Sequence, residues 1–425
     1  MAAEEFTRRG YHSTRVEHIA ERLDLTPGAL YRHVPGKYEM FRDAVAVLVS
    51  ELEAAAGSCA APGGDAGGGA VGSAGGGADE AGAGPDDDAA LAQLVDAVTR
   101  VTLTHRPRAA LYRWQARYLA PEDRAAVVAA DARVRRRLAV AVRGRRRGGP
   151  AAGAGSAAGA ILSCIASLGH HRIGIDDSGA VALMTSIAED LAASVPQAGR
   201  TPAAATRRAS DAGTGPSLNG SALNGSAGPA GRLRGGAATR EGAIAAAIER
   251  FHSSGYDSVT MEAIGADVGV AASALYRYFP GKSALLTAAV DRTAVLVGDL
   301  LDRHAAWHSA DADPAEVLVD LLEQYVAIAF SHGPELMLYH SELGSLGDDD
   351  RRRIRRAQRG QLDRWAGLLL EAARARGGPP TDVDIARIRV HAALAVVLDG
   401  GRGTGFDPAV AGRLAELARV VLLPR

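Results

Sequence analysis

Lys37 and Lys282 are the two lysines of a 425-residue chain in which Lys and Arg together number 48. Each closes the same motif, Tyr31-Arg-His-Val-Pro-Gly-Lys37 and Tyr276-Arg-Tyr-Phe-Pro-Gly-Lys282, and every other basic residue is Arg. A compact ammonium beside a helix N-terminus suits a phosphate oxygen, a point-charge role that an Arg fork does not duplicate. The local alternative is a lysine that caps or packs within its own fold. Other candidate constellations are weaker. Cys164, His170 and His171 lack a fourth ligand and a standard metal spacing, so no metal site is expected. No Ser-His-Asp set, P-loop or dinucleotide fingerprint occurs, which argues against an enzyme, and no cofactor is expected.

The repeated motif points to an internal duplication. Residues 6–37 align with 251–282 at a shift of 245 without a gap, with 13 identities in 32 positions, among them Phe6 with Phe251 and Gly10 with Gly255. A second block aligns at a shift of 227, with His105 on His332, Pro107 on Pro334, Tyr112 on Tyr339 and Asp123-Arg124 on Asp350-Arg351. The extra residues of the first copy fall in a stretch that is almost entirely Gly and Ala. The expected organisation is a first head at 1–50, a Gly/Ala-rich insert at 57–85 and a helical body at 86–195. A linker at 196–238 precedes a second head at 239–290 and a second body at 291–425. The linker composition, rich in Gly, Ser, Asn and Pro, cannot bury a core.

Each head reads as three short helices and the start of a fourth. Ile244, Ile248 and Phe251 recur at helical spacing before Gly255, and Met261, Ile264, Gly265 and Val268 do so again. In the first copy Val16, Ile19, Ala20 and Leu23 follow Ser13 and Thr14, either of which offers a capping hydroxyl. Asp24 and Gly269 occupy a tight turn where a left-handed residue fits. Thr26 then caps and Pro27 opens the third helix, whereas Ala271 replaces that cap in the second copy. Two short helices across such a turn make a helix-turn-helix, whose second member enters the DNA major groove.

With Gly10-Tyr11, Ile19-Ala20 and Leu30-Tyr31-Arg-His-Val-Pro-Gly-Lys37, and their counterparts ending at Lys282, both heads resemble the DNA-binding head of TetR-family transcriptional repressors. The resemblance implies an all-α fold: two tandem units, each a helix-turn-helix head and a helical ligand-binding and dimerisation body. It implies a repressor of a double-stranded DNA operator that is released by a small-molecule effector. By position, Thr14, Arg15 and Thr260 match phosphate contacts at the start of the second helix. Thr26, Pro27, Gly28 and Ala29, and Ala271, Ala272, Ser273 and Ala274, match the base-reading positions. Tyr31, Arg32, His33 and Lys37, with Tyr276, Arg277, Tyr278 and Lys282, complete the expected DNA-binding set. Neither recognition helix carries Asn or Gln, so shape and thymine methyls are expected to supply much of the readout. The first copy has only five residues before Phe6, so its first helix is expected to be truncated or its start misassigned.

Family members act as homodimers, and a tandem chain could fold into that dimer within itself. The segments Ile161–Leu168, Ala180–Ala192, Arg389–Leu398 and Pro408–Leu422 are apolar enough for a four-helix interface. An intramolecular pseudo-dimer is therefore expected to prefer an operator with unlike halves. The alternatives are that only the second head binds DNA and chains pair as homodimers, or that the heads are DNA-silent and the protein binds ligand alone. Tyr112, Trp114 and Tyr118, with His332, Tyr339, His340 and Trp365, are candidates for a pocket or for ordinary core. The runs Arg133–Arg137, Arg143–Arg147 and Arg351–Arg356 read as solvated faces, or as a site for an anionic effector such as an acyl thioester of coenzyme A.

Composition sets the outer limits. A 47% apolar and 23% charged chain buries a sizeable core, while a net charge of −1 gives no global field for nucleic acid. Local placement must supply phosphate contacts, since residues 1–50 carry seven basic and seven acidic side chains. Two cysteines exclude a disulfide scaffold. No apolar run approaches a membrane span and the start does not read as a secretion signal, so a cytoplasmic location away from membranes is expected.

Overall fold

The computed structural model describes residues 1–59, 85–145, 153–171, 173–195, 235–308, 312–377 and 381–424. Among them are α-helices and short 3₁₀ turns, and no strand. The first unit holds α1 (Ala2–Arg9), α2 (Val16–Arg22), α3 (Pro27–Tyr31), α4 (Lys37–Ser58), α5 (Pro85–Thr104), α6 (Arg106–Gln115), α7 (Pro121–Gly144), α8 (Ala154–Ser167) and α9 (Asp177–Ala193). The second repeats the order with α10 (Gly236–Ser254), α11 (Met261–Asp267), α12 (Ala272–Leu275), α13 (Lys282–Trp307), α14 (Pro314–Ser331), α15 (Gly333–Ser341), α16 (Asp348–Ala375), α17 (Val383–Gly403) and α18 (Ala411–Leu422). The 3₁₀ turns Ala116–Tyr118 and Leu343–Ser345 also correspond.

The heads begin and end where local chemistry dictates. Gly10 and Gly255 stop the first helices at φ +82° each, and Asp24 and Gly269 make the turn into the recognition helices at φ +56° and +72°. Thr26 accepts a hydrogen bond from the Ala29 N–H at 3.2 Å and caps α3, while Ala271 leaves α12 without a side-chain cap. The second helix of the first head starts differently from expectation. Neither Ser13 nor Thr14 caps α2. Arg15 holds that position, and its backbone N–H donates to His18 Nδ1 at 3.2 Å. In the second unit Thr260, at Arg15's place, accepts from the Ala263 N–H at 3.2 Å.

Domain limits also differ in detail. Helices α4 and α13 run on through Ser58 and Trp307, so each head is joined to its body by a continuous helix that passes the expected limits at 50 and 290. Helix α10 begins at Gly236, inside the span read as linker. Residues 60–84 of the insert and 196–234 of the linker lie outside the described residues.

Each head has its own small core. Phe6, Leu30, Phe41 and Val45 are buried together in the first; Phe251, Leu275, Leu286 and Val290 in the second. The bodies share a larger one. Helix α8 packs on α17 and α9 meets α18. Ile161, Ile165, Met184 and Ile187 lie in one buried cluster with Val390, Val397, Leu417 and Val421. These are the four segments whose apolar content stood out in the sequence, and each such side chain fully buried contributes about 1.5–3 kcal/mol.

One surface distinguishes the heads. The N-terminal turns of α10 cover their own head. Gly236 lies against Tyr278, Arg240 stacks 5.3 Å from the Phe279 ring, Glu241 pairs with Arg292 and Gly242 meets Val268. Helix α1 begins at Ala2, in register with Ala247 of α10. At the corresponding place the first head has a groove of about 470 Å³ lined by Leu23, Val34, Ala44 and Val47.

Candidate nucleic-acid interface and body cavity

The recognition helices are short and present their sequence-predicted residues outward. Tyr31 is 49% exposed and Tyr276 50%, unusual for large aromatic rings and matched between the heads. Thr26, Gly28, Arg32 and His33 are exposed, with Pro27 and Ala29 half-buried. Ala271, Ser273 and Arg277 are exposed, with Ala272, Ala274 and Tyr278 half-buried. Leu30 and Leu275 turn inward and anchor each helix. Arg15 and Thr260 are exposed at the start of the second helices. Thr14 is not available to DNA. It is fully buried, and its hydroxyl lies 2.7 Å from the Gly10 carbonyl and 3.2 Å from that of Glu5. This corrects its assignment as a phosphate contact: a β-branched hydroxyl one residue before the cap ties down the helix end instead.

The paired lysines turn back into their heads. Lys37 Nζ donates to the His12 carbonyl at 3.1 Å and sits 4.8 Å from the Tyr11 ring. Lys282 Nζ donates to the carbonyls of Tyr256 and Asp257 at 2.9 and 3.1 Å and sits 4.4 Å from the Tyr256 ring. Burial lowers the Lys37 pKa. The local packing role is therefore present in both heads, joining the turn after the first helix to the start of α4 or α13. An ammonium has three donors, so each lysine retains capacity beyond these bonds.

Each of these turns also touches the opposite unit. A Cβ on Gly255 would lie 2.5 Å from Tyr118 Cε1, and one on Gly344 would lie 2.8 Å from the Gly10 nitrogen. Tyr118 stacks on Tyr11 at 5.7 Å and donates to Glu342 Oε1 at 2.9 Å, while Arg117 forms an ion pair with the same buried carboxylate. Tyr118 and Glu342 thus belong to a junction between units. Burial, and then the Glu342 charge, push the Tyr118 hydroxyl pKa well up.

The remaining pocket candidates divide. Trp114, Tyr339, His340 and Trp365 line one cavity of about 110 Å³ in the second body, closed from the first unit by Arg113 and His170. Tyr112 packs on the first head's core, and His332 pairs with Glu335 at 3.3 Å outside the cavity. Sequence reading missed His170's place here, along with His391, Gln358 and Gln361, because they come from distant helices. Trp114 Nε1 donates to His170 Nδ1 at 3.0 Å, and its ring stacks on His340 at 5.5 Å. Burial, then the Arg113 charge, push His340 down to about 3 and His391 down to about 4. The cavity therefore offers neutral imidazoles at physiological pH. Arg113 itself is held by Asp399 of the other unit at 3.0 Å, with both side chains largely buried. Cys164 lies apart from the histidines, with its thiol 3.9 Å from the Ala392 carbonyl. Among the described residues the Cys164, His170 and His171 trio forms no metal cluster.

The sequence model described as "Bacterial regulatory proteins, tetR family" matches residues 1–44 and 243–289. The chain thus carries two tetR-family heads in tandem. No curated protein matches it. Similar solved structures include SmeT, the repressor of the Stenotrophomonas maltophilia multidrug efflux pump SmeDEF, at 25% identity over 43% of this chain and 88% of that one, TM-score 0.34. The fatty acid degradation regulator FadR from Bacillus halodurans is 19% identical over 45% and 98%, TM-score 0.38. The regulator PfmR from Thermus thermophilus is 21% identical over 46% and 94%, TM-score 0.36.

Proposed function

We propose that this chain is a sequence-specific DNA-binding transcriptional regulator, a repressor, whose two units act as an intramolecular pseudo-dimer. The observation that carries the reading is the matched exposure of Tyr31 and Tyr276 on two recognition helices whose bodies share one core. The base-reading positions differ, Thr26-Pro-Gly-Ala29 against Ala271-Ala-Ser-Ala274, so the preferred operator has unlike halves. Tethering replaces a bimolecular pairing step with an effective concentration in the millimolar range.

The effector in this reading is a small molecule with an aromatic or apolar body and one polar group, taken into the cavity beside Trp114 and Trp365. Gln358 Nε2, a buried donor without a hydrogen bond of standard geometry, supports a polar contact there. The cavity lies below the usual range of roughly 300–1,000 Å³, so a larger effector must displace side chains to enter.

Substitution of the exposed tyrosines tests the reading, because it leaves the head cores intact. Tyr31→Ala and Tyr276→Ala should each weaken binding to a selected genomic fragment by about tenfold, at unchanged thermal stability. Loss from Tyr276→Ala alone would mean that only the second head reads DNA.

A further inference from the structure

Near the C-terminal end of α13, far along the helix from its head, three ligand-type side chains converge. His304 and His308 stand one helical turn apart on α13, and Asp320 projects from α14. Asp320 Oδ2 lies 3.3 Å from His304 Nε2 and 3.2 Å from His308 Nε2, and the imidazole rings are 4.4 Å apart. A tetrahedral ion with ligand bonds of about 2.0–2.1 Å has ligand-to-ligand edges of about 3.3 Å. The two measured edges fit that figure.

We propose that His304, His308 and Asp320 bind one divalent transition-metal ion of the zinc class, with an open coordination position facing solvent. Imidazole pairs at i, i+4 with a carboxylate suit Zn²⁺, Co²⁺ and Ni²⁺ rather than Mg²⁺ or Ca²⁺. His304 is buried, and its Nε2 has no hydrogen bond of standard geometry, only the 3.3 Å approach to Asp320 Oδ2. In a purely hydrogen-bonded cluster the single oxygen Asp320 Oδ2 is shared by both imidazoles and Gln324, whereas an ion engages all three ligand atoms at once. Gln324 Nε2 donates at 2.8 Å to Asp320 Oδ2, the oxygen that faces both imidazoles, and so fixes its position.

Among the described residues the first unit has no equivalent site. Cys59 and Gln93 occupy the places of His304 and Asp320, and the Cys59 thiol lies 3.4 Å from the Ala55 carbonyl and 3.7 Å from that of Gln93. The ion would therefore tie α13 to α14 in the second unit only, on the same helix that begins at Lys282 under the second head. This inference does not depend on whether the heads bind DNA.

Calorimetric titration of the untagged, chelator-treated full chain with ZnCl₂ tests it, with Co²⁺ absorption reporting nitrogen and oxygen ligation. The expected result is one ion per chain and a raised melting temperature. His308→Ala and Asp320→Asn should each weaken binding at least about tenfold. Both are partly exposed, so these variants should fold even if His304→Gln does not. Cys59→Ser and His391→Asn should bind as the parent does. Absence of binding by the folded parent chain, or binding unchanged in His308→Ala, would overturn the proposal.

Discussion

Glu5 and Arg22 pair across the first head at 2.9 Å, and the second head carries the same bridge with its charges exchanged, as Arg250 and Asp267 at 2.6 Å. The buried Glu5 carboxylate also receives Arg8 and Arg9, at the places of Ser253 and Ser254. The two heads are therefore alternative solutions to one contact between the first and second helices. Glu5→Arg alone should destabilise the first head by about 2 kcal/mol, because it sets like charges together and strands the carboxylate's donors. Adding Arg22→Asp, Arg8→Ser and Arg9→Ser should restore most of the loss, measurable by urea denaturation.

Acid should act on the same residue. Burial raises the Glu5 pKa, but the bonds from Arg8, Arg22 and Arg9 outweigh it and hold the carboxyl down at about 2. A carboxylate depressed in the folded state contributes fully above its unfolded value, near 4.3, and loses that contribution as pH falls toward 2. Glu5→Gln should remove this part of the acid sensitivity. Melting curves between pH 5 and pH 2.5, compared with the parent, would reveal it.

A second acid transition should arise in the bodies at higher pH. Burial is the leading cause that keeps His170 well below its ordinary pKa, His171 at about 2, His340 at about 3 and His391 at about 4. Histidines depressed in the folded state favour unfolding once the unfolded chain protonates. They cost nothing above about pH 6.5, and below it they destabilise the fold increasingly as pH falls toward the folded values. Unfolding near pH 5.5 should therefore take up protons, and His391→Asn should reduce the uptake. Denaturation free energies measured from pH 7.5 to pH 5 give the slope directly.

The groove on the first head predicts a gain. Leu23 is 37% exposed and Val47 38%, at the places that α10 covers in the second head. Placing residues 236–245 in register before Met1 should cover them and add about 1–2 kcal/mol, read as a higher urea midpoint. No gain would mean that the groove does not accept the turns that fit its duplicate.

Arg113 and Asp399 join the units through an ion pair that is 6% and 12% exposed. Asp399→Ala should cost about 3–5 kcal/mol, because it leaves Arg113 buried without its partner. Arg113→Met with Asp399→Leu should cost much less. If the single change leaves the urea midpoint unmoved, the contact contributes nothing to joining the units.

Much of the fold was legible because it is local. Helical periodicity, the Thr26 cap and the Asp24 and Gly269 turns depend on neighbours within a few residues, and the structure has all of them where the pattern required. The duplication was legible from residue identity. Thr14 was misassigned because its burial depends on the path of α1 above it. The lysines' partners sit 25 or 26 residues upstream, where Tyr11 and Tyr256 were visible signals of a local role. The i, i+4 spacing of His304 and His308 was readable, but Asp320 reaches them only through packing of α14 on α13. Arg113 and Asp399, 286 residues apart, carry no sequence signal at all.

The central claim is that one chain presents two unlike DNA-reading heads. Selection of genomic fragments by the purified chain, followed by sequencing, tests it most directly. The account predicts an enriched motif with two different halves about ten base pairs apart, the spacing of one helical turn. A strictly symmetric motif bound by two chains, or no enrichment by a folded protein at low salt, would contradict it.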